Sequence, residues 1–346
     1  MKTIMKTLFV SIASLSLMFS ANAGEVSVHG TAKATYHVTH GQQSDNTIGI
    51  TNELNFTASG EMDNGYAWAY NMALDPDSAA AGQANNDDTS IVVTMNDLGT
   101  AKICVSTCGN GKEYAFDQSA YASMTDTGLS EGIVYPISAS SYSSLQYHTP
   151  ELPFGTTGSY AYGQTKTGDG VSANAQAGSN GSNISAYSLV TKPVDGLTLS
   201  ASMYELHDYD DGVTSEQQFE EGGAYGISYA MGNFTVGYGK SYKAPESTVA
   251  VTASASGATV EWYENTGVSI GFAVNDELSI SYTSEESTAH QRTSTNTVYD
   301  IEMNSIQASY SLGGATLSLA RADYDNIGYV DGVDASDTII AIAFAF

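Results

Sequence analysis

From Thr338 to Phe346 the sequence alternates between bulky and small. Ile340, Ile342, Phe344 and Phe346 are large and apolar, and Ala341, Ala343 and Ala345 stand between them. A period of two places the two sets on opposite faces of a β-strand. In a soluble domain such a strand is a sticky open edge. In a bilayer every backbone N–H and C=O needs a partner within the protein, so strands cross only as a closed barrel, apolar on the outside. The pattern predicts the last strand of such a barrel, paired to the first.

The alternation recurs from end to end. Val26, Val28, Ala32, Ala34, Tyr36 and Val38 share one face of an opening strand, and Ser27, His29, Thr31, Lys33, Thr35, His37 and Thr39 share the other. The second face is too polar for a protein core and suits a water-filled lumen. Similar runs centre on Phe56, Tyr70, Ile103, Leu199, Ile227, Val236, Ile270, Ile280 and Ile306. Hairpin residues mark tight turns at Asp63-Asn64-Gly65, Asp97-Leu98-Gly99, Pro153 to Gly155, Asp195-Gly196, Gly232-Asn233, Asn275-Asp276 and Gly313-Gly314. Between them lie longer polar stretches near 40–47, 75–90, 108–144, 165–182, 208–221, 243–260, 285–298 and 325–337. Short turns on one side, long loops on the other and about 16 strands describe an all-β transmembrane antiparallel barrel, with short periplasmic turns and long extracellular loops. Two stretches break phase. Tyr187 and Leu189 disagree with Ile184 and Ala186, and residues 298–304 disagree with 306–312, which reads as a bulge or a strand end above the membrane.

Lys2 and Lys6, the apolar run Leu8 to Ser20 and the small-x-small site Ala21-Asn22-Ala23 read as a cleaved signal peptide over residues 1–23, leaving one domain over 24–346. The apolar run falls short of the roughly 20 residues that a membrane-spanning helix needs. The chain carries 38 acidic and 11 basic residues, a formal charge of −27. That balance excludes nucleic acid as a partner and adsorption to anionic lipid through a basic patch. Cys104 and Cys108 are the two cysteines. An exported, oxidising setting permits a disulfide. An extended strand would hold them about 13 Å apart, so a bond requires the chain to turn between them, and the spacing leaves the matter open. No second cysteine pair or nearby histidine completes a zinc set, and no metal or other cofactor is expected. The sequence holds no Gly-x-Ser-x-Gly elbow, His-Glu-x-x-His, phosphate loop or dinucleotide fingerprint, so no enzyme is expected.

The segment Leu145-Gln146-Tyr147-His148-Thr149-Pro150-Glu151-Leu152, running into Gly158-Ser159-Tyr160-Ala161-Tyr162, resembles the strand pair after the constriction loop of Gram-negative general porins. The opening Val26-Ser27-Val28-His29-Gly30 and the closing Phe346 are similar to that family too. The resemblance implies a homotrimer of 16-stranded barrels in the outer membrane, each with its third loop folded into the lumen. The stretch Cys108 to Ser144 falls in that third-loop position. Such proteins narrow the pore between acids on this loop and a basic cluster on the opposite wall. The acids are Glu113, Asp117, Asp126 and Glu131. The basic cluster is thin: Arg292 falls in a loop, Arg321 shares the parity of Leu317 and Leu319, and Lys33 and Lys102 are the clear lumen-facing bases. Glu53 is a candidate partner for these lysines, and His29 and His37 join the polar wall.

Tyr36, Tyr66, Trp68, Tyr70, Tyr238, Trp262 and Tyr310 suit interfacial girdles. The acidic pairs Asp87-Asp88, Glu220-Glu221 and Glu285-Glu286 and the run Asp208 to Asp211 read as solvated loops rather than divalent sites bridging lipopolysaccharide. The expected function is passive diffusion of small hydrophilic solutes and ions, with a cation preference, in contact with outer-membrane lipid and lipopolysaccharide. The alternatives are a substrate-specific channel, for sugar or another nutrient, and a structural or adhesive surface barrel.

Overall fold

The computed structural model describes residues 24–41, 46–75, 85–105, 108, 116–122, 133–136, 143–164, 183–207, 218, 220–245, 249–250, 259–293 and 297–346. The signal-peptide expectation falls outside them. The strands are β1 (Glu25–His40), β2 (Asn46–Glu61), β3 (Ala67–Asp75), β4 (Asn85–Thr94), β5 (Thr100–Val105), β6 (Ser144–His148), β7 (Thr157–Gln164), β8 (Asn183–Thr191) and β9 (Leu197–His207), followed by β10 (Glu221–Met231), β11 (Phe234–Ala244), β12 (Val249–Ala250), β13 (Thr259–Ala273), β14 (Leu278–Thr293), β15 (Ile301–Ser311), β16 (Ala315–Asp325) and β17 (Ala335–Ala345). Each long strand pairs antiparallel with the next, and β11 pairs directly with β13. The two-residue β12 only tags the end of β13, so sixteen strands form the wall.

The wall closes between β17 and β1, in a register running from Thr31 opposite Ala345 to His40 opposite Ser336. Gly30 and Phe346 exchange both backbone hydrogen bonds, at 2.7 and 3.0 Å. Closure removes the open edge that the alternating last strand would otherwise present. The Phe346 ring lies on Gly30, where a Cβ would come within 2.8 Å of the ring and 2.9 Å of the Glu53 carbonyl oxygen. Outward apolar side chains stay uncovered, with Ile306 66 % and Phe346 71 % exposed, as a lipid-facing belt requires.

The tight turns fall where hairpin residues predict them. Gly65, Gly99, Gly155, Gly196, Gly232 and Gly313 adopt positive φ there. The opposite end carries the long connections, with two changes of boundary. β4 begins at Asn85, so Asp87 and Asp88 belong to a strand. β14 runs to Thr293, so Glu285, Glu286 and Arg292 are strand residues rather than loop residues.

Neither phase break is a bulge, and the strand end falls within 298–304, where β15 begins at Ile301. Register runs unbroken through β7–β8–β9 and β14–β15–β16. Instead, the inner face turns apolar. Ile184 and Ala186 point inward and pack with Ala161, Tyr204 and Leu206, while Tyr187 and Leu189 face out. Ile301 and Met303 point inward, into a cluster with Val260, Tyr263, Ala320, Ala322, Tyr324 and Ile339. Residues of two connections, Ile133 and Tyr329, complete that cluster. Where connections cover the wall beside Ile301 and Met303, inward positions are excluded from water and become core, so both faces of that strand read apolar.

The seam yields a test. Gly30→Val should push the Phe346 ring aside and crowd the β2 backbone, costing about 1–3 kcal/mol. The expected outcome is a lower urea midpoint for the detergent-folded barrel, read by loss of the heat-modifiable band, whereas Gly314→Val, at a glycine with nothing within 4 Å of a built Cβ, leaves the midpoint unchanged.

Candidate functional site: the lumen wall and the third long loop

Backbone groups of the wall are spent on the barrel ladders, so a segment crossing the lumen must bond to inward side chains. The connection between β5 and β6 does this. The Gln118 amide donates to Ser269 Oγ at 2.9 Å, and the Ala120 amide donates to Ser281 Oγ at 2.7 Å. The Tyr121 and Ala122 amides both donate to Gln307 Oε1, at 2.9 and 3.2 Å, and Gln307 Nε2 donates back to the Ala122 carbonyl at 3.1 Å. Residues 116–122 thus run across the inner faces of β13, β14 and β15. Phe116, 4 % exposed, sits at the start of this run, against glycines of β11 and β13.

A second stretch of the same connection, residues 133–136, docks higher on the wall. Asn265 Nδ2 donates to the Val134 carbonyl at 3.0 Å. The Tyr135 hydroxyl donates to Glu285 Oε2 at 2.9 Å. Burial, and then the neighbouring Glu285 charge, push the Tyr135 phenol well above its ordinary value, so it stays a donor. Glu285 is 2 % exposed, a carboxylate covered by the loop rather than a solvated loop acid.

Among the expected loop acids, Asp117 is described. It is partly buried, and its Oδ1 accepts from the Ser119 amide at 3.0 Å and from Thr283 Oγ1 at 3.4 Å. Glu113, Asp126 and Glu131 lie outside the described residues, as does the run Asp208 to Asp211. On the facing strands, Lys33 lies with its Nζ 5.7 Å from the Tyr121 ring centroid, a cation–π approach that ties β1 to the loop. Glu53 accepts from Asn55 Nδ2, its neighbour on the same face of β2. The wall continues as a neutral ladder, in which Thr57 Oγ1 donates to Asn71 Oδ1 at 3.0 Å and Asn71 Nδ2 donates to Ser90 Oγ at 3.2 Å. Lys102 stands opposite Gln146 on the inner face of β5, beside the Thr100–His148 pair. His29 stands opposite Asn55, and His37 Nε2 lies 3.6 Å from Asp337 Oδ1.

Cys104 and Cys108 are joined by a disulfide, with Cα atoms 5.7 Å apart. That is far closer than an extended strand would hold them, and Gln146 Nε2 holds the Cys108 carbonyl at 2.5 Å. Arg321 faces outward on β16, where Nη2 donates to Asp323 at 2.5 Å, so it adds nothing to the lumen wall. Glu220 accepts from Lys243 at 3.2 Å and from the Tyr204 hydroxyl at 3.1 Å, so it is tied to the wall rather than solvated.

The loop anchors were not singled out by residue type. Gln307, Ser269, Ser281 and Tyr135 look ordinary in a polar face, and only their partners give them a role. The glycines under Phe116 and Gln118 did leave a signal, because Gly237, Gly239, Gly267 and Gly271 recur at inward positions of two adjacent strands.

No protein-family model matches the sequence, and no curated protein matches it. Solved structures do. The chain is similar to OmpF of Salmonella typhi in complex with daunomycin, with a TM-score of 0.69, 15 % identity and coverage of 95 % of this chain and 99 % of that one. It is similar to OmpT of Vibrio cholerae in a trimer form, with a TM-score of 0.64, 12 % identity and coverage of 94 % and 100 %. It is also similar to an anion-selective porin from Comamonas acidovorans, with a TM-score of 0.63, 10 % identity and coverage of 93 % and 100 %. At these identities the likeness establishes the fold: a 16-stranded barrel of the general-porin type over nearly the whole chain.

The buried contact at Glu285 is testable. Tyr135→Phe removes a donor from a covered carboxylate and should cost about 1–3 kcal/mol of stability. Tyr135→Phe combined with Glu285→Leu should recover most of that loss in urea unfolding, because no unpaired polar group is left under the loop.

Proposed function

We propose that this barrel is an outer-membrane porin of a Gram-negative bacterium, through which small hydrophilic solutes and ions diffuse passively, with a preference for cations. The observation that carries the reading is the third long loop crossing the inner wall of a closed 16-stranded barrel, bonded to inward side chains from β13 to β15. Such a crossing narrows a lumen without plugging it, and the polar faces of β1 to β5 keep the opposite side wet.

The sign of the preference follows from charge placement. Asp117 stands on the loop and Glu53 on the wall. Against them the facing strands carry Lys33, which is drawn to Tyr121, and Lys102 within a neutral Asn, Thr and Ser surface. Arg321 points out of the barrel. With 38 acids and 11 bases in the whole chain, the net field of the protein is negative. The Comamonas structure is described as anion-selective on the same fold, so side chains rather than the barrel decide the sign.

Inward aromatics support general diffusion over a sugar-specific path. Tyr204, Tyr263, Tyr324 and Tyr329 are buried in packed clusters rather than laid along a water-exposed track. Three copies assemble, a number that the trimer form of Vibrio OmpT supports, and the apolar outer belt suits them to outer-membrane lipid and lipopolysaccharide. The reaction needs no catalytic group and no cofactor. Water fills the lumen, the loop limits size, and carboxylates bias charge.

Planar bilayers with a salt gradient test the proposal. The expected reversal potential has the sign of cation preference, and Lys102→Glu and Lys33→Glu each shift it further the same way. Anion preference in the unmodified protein would overturn the charge assignment, and absence of any conductance would overturn the channel.

A further inference from the structure

We propose that Phe116 is the positioning residue of the third loop, seated as a key in a slot walled by Gly237, Gly239 and Gly267, and that this slot more than the polar contacts sets where Asp117 meets the lumen. The inference rests on reading the loop as the restriction of a channel, though its main readout does not.

The slot is built from missing side chains. A Cβ at Gly267 would lie 2.1 Å from Cε2 and Cζ of the Phe116 ring, and one at Gly239 would lie 2.8 Å from its Cδ1. A Cβ at Gly237 would lie 1.9 Å from the Phe116 carbonyl oxygen. Gly239 and Gly267 are directly opposed across β11 and β13, and Gly237 lies two residues along the same inner face. Glycine inside a strand weakens it and is tolerated where another chain approaches closely. Here the approaching group is an aromatic ring that is 4 % exposed. Four residues along β13 from Gly267, Gly271 gives clearance to the Gln118 carbonyl, with a built Cβ at 3.0 Å.

The physical balance favours the ring over the amides. The amides of Gln118 and Ala120 bond to the buried hydroxyls of Ser269 and Ser281, and withdrawing the loop opens donor and acceptor to water together, so each bond is exchanged for bonds to water and holds little net free energy. A buried ring has no aqueous substitute, and withdrawing it exposes apolar area and empties a slot that nothing else fills. Asp117 follows Phe116 directly, so seating the ring fixes the start of the segment that carries the carboxylate.

Amide hydrogen exchange of residues 116–122 in the detergent-folded barrel tests this, with single-channel recording beside it. Phe116→Ala and Gly267→Ala should each raise exchange at Gln118, Ala120, Tyr121 and Ala122 by about tenfold or more while strand amides stay protected. The double variant should be no worse than Phe116→Ala alone, because the added methyl then meets no ring. Gly49→Ala, whose built Cβ meets only Thr35 Oγ1 at 3.4 Å, should change nothing. In recordings, Phe116→Ala should add open-channel noise. If Gly267→Ala fails to fold, Phe116→Leu, which alters the loop and leaves the wall intact, gives the same exchange readout at smaller amplitude. Wild-type exchange in Phe116→Ala and Phe116→Leu would overturn the proposal, the more so if Gln307→Leu alone frees the loop. If no variant and no wild type conducts, the channel reading fails while the exchange result still judges the slot.

Discussion

Satisfaction of the backbone is the constraint on which this structure depends. A strand in lipid has no water to bond, so each ladder must be matched by another, and the last must find the first. The β17–β1 seam, ending in the reciprocal bonds of Gly30 and Phe346, meets that demand. Closure then fixes the two environments of every residue. One parity meets lipid and the other meets the lumen, for all sixteen strands at once.

The same constraint shapes what lies inside. Because the wall's peptide groups are already paired, the crossing loop can bond only to side chains, and the inner faces of β13 to β15 supply them in Ser269, Ser281, Gln307 and Asn265. Where the loop also needs close contact, the wall supplies glycine. Where it covers the wall fully, the wall supplies apolar residues such as Ile301 and Met303. The lumen is therefore not uniform. A dry sector lies along β13 to β17, under the loop and Tyr329, and a polar sector along β1 to β5 carries the Thr57–Asn71–Ser90 ladder.

How far the sequence could be read follows from this division. Period-two alternation exposed β1 and β2, because each has one lipid face and one wet face, and β17, because small alanines alternate there with bulky apolar residues. Hairpin glycines located the short turns, because positive φ is a local demand. The reading failed where a third environment enters. Ile184 and Met303 look misphased only if every inward position is assumed to be wet. Glu285 looks like a loop acid only if Tyr135, distant in sequence, is not known to cover it. The lumenal placement of Lys33 was legible from parity, but its approach to Tyr121 was not, since Tyr121 reaches it from another part of the chain.

By itself the sequence determined the strand count, the turn positions, the two faces and the acidic balance, because each depends on neighbours a few residues apart or on composition. Tertiary structure alone decided the path of residues 116–122, the pairing of Tyr135 with Glu285, the seating of Phe116 and the approach of Lys33 to Tyr121. These are contacts between segments remote in sequence or choices of partner among several within reach. They depend on the barrel first closing around a volume into which one loop can fold, and no local pattern encodes that volume.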